Sequence, residues 1–95
     1  MKVKELLDML DGTIADLKVA IVANQSRSFE SPYTMLEFIQ RANELQEDLD
    51  DLLKIRERLS SLNPEDEAEE HLSKEELEGL MKLMKLLESS KAHVY

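Results

Sequence analysis

Five acids crowd one short stretch of this chain: Glu44, Glu47, Asp48, Asp50 and Asp51. Carboxylates at this density hold a divalent cation when they point inward from neighbouring helices of a bundle. A second stretch with chemical potential is residues 24–33, NQSRSFESPY. There Arg27, the hydroxyls of Ser26, Ser28 and Ser31, and the open N–H groups of a following helix could converge on a phosphate or carboxylate. The plainer reading is an inter-helix loop, in which Ser31 caps, Pro32 starts the next helix, and Phe29 or Tyr33 closes the end of the core. His71 and His93 share no ligand spacing with each other, and the chain has no Cys. His71 stands beside Glu67 and Glu70, where it offers at most a weak cation site, and a solvated imidazole is the expectation. The sequence has no Ser/His/Asp set, no phosphate-cradling P-loop and no dinucleotide glycine motif.

The segment Glu47–Leu53, EDLDDLL, resembles the second acidic motif of the MazG-type all-α nucleotide pyrophosphohydrolases. The resemblance spans about ten residues. It implies Mg²⁺ held by carboxylate pairs on adjacent helices. The family's first motif would require a Glu-x-x-Glu on an inward face. Glu44 and Glu47 have that spacing, but helical geometry sets them opposite the apolar seam of their own helix. A non-catalytic protein without a cofactor is therefore the first expectation. An anion- or nucleotide-binding protein using the 24–33 loop is the alternative, and the hydrolase comes third.

Composition narrows the field. Ninety-five residues suffice for one domain with one modest core. Hydrophobic residues make up 42% and charged residues 35%, which suits a folded helical chain, and two Gly and two Pro leave few turns. The net charge is −9, unevenly distributed: between Glu44 and Glu78 fourteen acids face four bases, a balance of −10, while the remaining residues sum to +1. An acidic middle argues against direct nucleic-acid binding, which needs a basic face. No apolar run approaches the ~20 residues of a membrane span. Glu5, Asp8 and Asp11 interrupt the apolar region that a leader peptide would need, so a cytoplasmic location is expected.

The elements that position these groups are helices. Val3, Leu6, Leu7, Leu10, Ile14, Leu17 and Ile21 recur every three or four residues and predict a helix over 3–25. The seam keeps its phase across Gly12, which favours one helix over a break capped by Thr13. Met35, Phe38, Ala42, Leu45, Leu49, Leu52, Arg56 and Leu59 follow heptad spacing and predict a helix over 32–62, ended by Asn63-Pro64. Residues 63–72, rich in acid, read as an exposed linker or a frayed turn. Ser73 with Glu76 forms a capping box that opens a helix over 74–90, and residues 91–95 read as a tail. The fold class is all-α: an antiparallel helical hairpin plus a third, C-terminal helix, a three-helix bundle completed by oligomerisation.

Two features of this scheme point outward. Arg56 occupies a heptad position that calls for an apolar residue. It either snorkels or pairs with a carboxylate, from Glu5, Glu75, Glu76 or a second copy, and fixes register. The last helix carries apolar residues over about 220° of its wheel, more than two neighbours cover. Met81, Leu83, Met84 and Leu86 are the expected partner-binding set, and at least one of Met81 and Leu86 should project from the intrachain core. A second copy of the chain, another protein, or both are the expected partners, acting through this helix and the acidic face.

Overall fold

The computed structural model describes residues 1–27 and 32–94, with side chains through Glu88. Among the described residues the elements are α1 (Val3–Arg27), α2 (Met35–Ser60), α3 (Ala68–His71) and α4 (Lys74–Val94). The fold is all-α, a long hairpin of α1 and α2 with α4 laid along α1, and its overall dimensions are 49 × 21 × 19 Å.

The hairpin follows from the two seams. On α1, Val3, Leu6, Leu10, Ile14, Leu17 and Ile21 are all buried, and on α2 so are Ala42, Leu49, Leu52 and Leu59. Leu6, Leu10, Leu52 and Leu59 are wholly buried, each contributing about 1.5–3 kcal/mol of apolar burial. The helices run antiparallel. Asp11 pairs with Arg56, and the first turn of α1 meets the chain just beyond α2. α1 passes unbroken through Gly12, and Thr13 Oγ1 donates back to the Met9 carbonyl at 3.1 Å as an interior threonine does, so it caps nothing. The seam also extends beyond Ile21: Asn24 is buried, its Nδ2 donating to the Ala20 carbonyl at 2.8 Å, and the helix continues to Arg27.

Three further boundaries differ from the sequence expectation. α2 begins at Met35, three residues later than expected, because Pro32, Tyr33 and Thr34 form a turn, with Thr34 as N-cap position. At the other end α2 stops at Ser60, where the hydroxyls of Ser60 and Ser61 turn back to the carbonyls of Glu57 and Arg58. α4 runs on to Val94, since Ser89-Ser90-Lys91-Ala92 contains neither Gly nor Pro to stop it.

The largest correction concerns residues 63–72. Instead of an exposed linker, the segment is docked at the base of the hairpin. Asn63 Oδ1 accepts the Glu65 N–H at 3.0 Å and starts a turn. The N–H groups of Val3 and Lys4 then donate to the carbonyls of Asp66 and Pro64, at 2.9 and 3.1 Å, and the Ala68 N–H donates to the Met1 carbonyl at 2.7 Å. A helix's first N–H groups have no partner inside the helix, and here the acidic segment supplies the acceptors. Its negative charge is met locally: Glu65 receives Lys2 and Lys4, each at 3.0 Å, and the Met1 ammonium lies 2.9 Å from Glu67 and 3.1 Å from Glu69. The lysines hold the Glu65 carboxyl below its usual range. Ala68, which opens α3, and Leu72, just past its end, are buried in the core.

Candidate functional site

α4 leaves the docked segment with its cap in place, the Ser73 hydroxyl accepting the Glu76 N–H at 3.1 Å. Arg58 ties it to the end of α2 through Glu76 at 3.1 Å. Leu80 and Met84 sink into the core, and Leu77, Met81, Leu83 and Leu87 lean on it. Of the partner-binding set expected from sequence, Met84 is 6% exposed, because it follows Leu80 by four residues on the stripe that faces inward. Met81 and Leu83 are half-buried, and Leu86, 57% exposed, points away from the core.

Between α1, α2 and the C-terminal half of α4 lies a half-open cleft of about 910 Å³. α1 gives it Met9, Gly12, Thr13, Leu17 and Ala20, flanked by Asp8 and Asp16. The α2 wall is Arg41, Glu44, Leu45 and Asp48, and the α4 wall is Met81, Lys82, Met84, Lys85, Leu87 and Glu88. Three of the five methionines line this space. Asp48 is half-buried in it. Partial burial, with Asp51 and Glu44 close by, pushes its carboxyl above the ordinary range.

The acidic set of α2 thus divides. Glu44 and Asp48 face the cleft, whereas Glu47, Asp50 and Asp51 are exposed and do not line it. Among the described residues, the one group of three whose ligand atoms lie within 4.8 Å of one another is Asp66, Glu70 and His71, with His71 Nε2 2.9 Å from Asp66 Oδ2. Of the expected anion pocket, Arg27 is half-buried in the last turn of α1, and Ser28 and Ser31 lie outside the described residues. Arg56 pairs with Asp11, not with Glu5, Glu75 or Glu76. Asp11 lies six residues, nearly two turns, along α1 from Glu5.

A second surface was not anticipated. Among the described residues, Val19, Val22, Tyr33, Met35, Leu36 and Ile39 make up six of the nine large apolar side chains that are exposed, and all belong to the loop end of the hairpin. The sequence signal was present: Val19, Val22 and Leu36 are apolar yet stand off the seams. The cleft wall of α1 was missed for a different reason. Met9, Gly12 and Ala20 flank the seam as isolated small or flexible residues, with no periodicity of their own.

No protein-family model, no curated protein and no solved structure matches the chain.

Proposed function

We propose that the chain is a non-catalytic helical interaction protein that acts as a homodimer joined at the loop end of the hairpin. The observation that carries this reading is the clustering of exposed Val19, Val22, Met35, Leu36 and Ile39 at one end of an elongated molecule. Val19, Val22, Leu36 and Ile39 are 40–73% exposed, so covering them returns about 1 kcal/mol or more per side chain. Exposed apolar side chains gathered at one end of a fold support an interaction site there.

A second copy suits the surface because of charge. Residues 17–41 carry Lys18, Arg27 and Arg41 against Glu30 and Glu37, a balance of +1. The acids of residues 57–78 belong to the opposite end, about 27 Å along α2 from Ile39. Two chains meeting end to end keep their acidic ends several Debye lengths apart, each about 8 Å in physiological salt. One patch serves both subunits under two-fold symmetry.

Sedimentation velocity at micromolar concentration tests the reading. The wild type sediments as a dimer, and Leu36→Glu returns it to a monomer with its helical circular dichroism unchanged. A wild-type 11.0 kDa monomer across that range overturns it.

A further inference from the structure

We propose that the cleft between α1, α2 and α4 is a second binding site, separate from the hairpin end, and that its occupant is an amphipathic helix of another protein with an apolar stripe and a basic flank. Shape is the first argument. The α1 wall runs from Asp8 to Asn24, about 24 Å at the helical rise, or some four to five turns of a docked helix. A trough of this length, open along its side, fits a rod better than a compact small molecule. Its floor is apolar and adaptable: Met9, Met81 and Met84 with Leu17, Leu45 and Leu87. Methionine, unbranched and polarisable, moulds itself to a helix laid against it.

Charge is the second argument. The hairpin side of the cleft presents Asp8, Asp16, Glu44 and Asp48 against the single Arg41. Glu44 and Asp48 stand four apart on α2, where like charges repel. Asp51 adds to the field at Asp48, whose carboxyl is already raised by partial burial. A lysine or arginine row lying along this wall relieves the repulsion. The α4 wall offers Lys82 and Lys85 with Glu88, so the preference for basic residues belongs to the flank of the guest that faces the hairpin. Gly12 adds room, since a Cβ there would meet no atom within 4 Å.

The probe is a fluorescent synthetic peptide of about five turns, with leucine on one stripe and lysine on the flanks, titrated with the full chain at about 0.15 M salt and read by anisotropy. The wild type binds it saturably. Asp8→Lys/Glu44→Lys, both at exposed positions on the cleft wall, weakens binding by about tenfold or more, and the isosteric pair Asp8→Asn/Glu44→Gln does so by several-fold. The matched reversal Glu57→Lys/Glu78→Lys, outside the cleft and equal in net charge, changes affinity by less than about twofold. Met9→Ala weakens binding without altering helicity. Equal loss from the cleft and control reversals shows attraction to the acidic chain as a whole and overturns the site. Displacement of the peptide by equimolar spermine overturns the helical guest in favour of a small polycation. Absence of wild-type binding overturns both.

Discussion

Arg56 on α2 reaches across the hairpin to Asp11 on α1, with Nε donating to Oδ1 and Nη2 to Oδ2 at 3.5 Å. Both side chains remain 42–49% exposed, so the pair sits at the surface edge of the core and is screened by water and salt. The guanidinium holds the Asp11 carboxyl below its ordinary value. A carboxyl depressed in the folded state contributes stability that is present above its unfolded pKa, about 4, and lost as pH falls through the folded one. Arg56→Leu should therefore leave the neutral-pH melting temperature equal or higher, because the apolar residue completes the heptad. Below about pH 4 the variant should lose stability less steeply than the wild type. Melting curves from pH 7 to 2 check this, and unfolding of Arg56→Leu at pH 7 would contradict it.

The docked segment at the base yields a second expectation. Leu72 is 6% exposed and joins the hairpin core to α4. Leu72→Ala leaves a cavity and should cost about 2–5 kcal/mol in urea unfolding. A cost below about 0.5 kcal/mol, typical of a surface position, would mean that the segment does not dock in solution.

Two caps make a paired test. The Ser73 hydroxyl accepts the Glu76 N–H, whereas the Thr34 side chain makes no cap hydrogen bond. Ser73→Ala should cost about 0.5–2 kcal/mol and Thr34→Ala only a few tenths, measured by urea titration. The reverse order would relocate the start of α2 to another capping residue.

Gly12 lies inside α1, with open space where a Cβ would stand. Gly12→Ala should stabilise the chain by up to about 1 kcal/mol through helix propensity, seen as a higher urea midpoint with an unchanged slope. Destabilisation would show that the residue needs conformations no alanine adopts.

The fold was legible where burial follows periodicity. The seam Val3–Ile21 and the heptad Ala42–Leu59 place α1 and α2 face to face, and Ser73 with Glu76 announces α4. What periodicity does not encode is closure between distant segments. The run PEDEAEEH reads as repelling charge. Its hydrogen-bond donors and counter-charges, the N–H groups of Val3 and Lys4 and the side chains of Lys2 and Lys4, come from the far end of the sequence. Ala68 and Leu72 hinted at burial, four apart in a polar stretch. The cleft was hidden for a similar reason: the stripe of α4 gives its apolar width, but not which part α1 covers. Hence Met84 proves internal, and Met9 becomes a wall.

The hydrogen bonds from Val3 and Lys4 to Asp66 and Pro64 join residues about sixty apart in sequence. Such contacts wait on closure of a long loop, so the N–H groups of Val3 and Lys4 find these acceptors only when the segment beyond α2 has arrived. Undocking that segment also removes the support of Ala68 and Leu72 from α4. The first turn of α1, α3 and α4 should therefore open together, while the paired middles of α1 and α2 stay closed. In native-state hydrogen exchange the amides of Val3, Lys4 and Ala68 would share a single opening free energy below that of Leu10 and Leu52, the signature of a chain whose two ends of the fold are fastened by one latch.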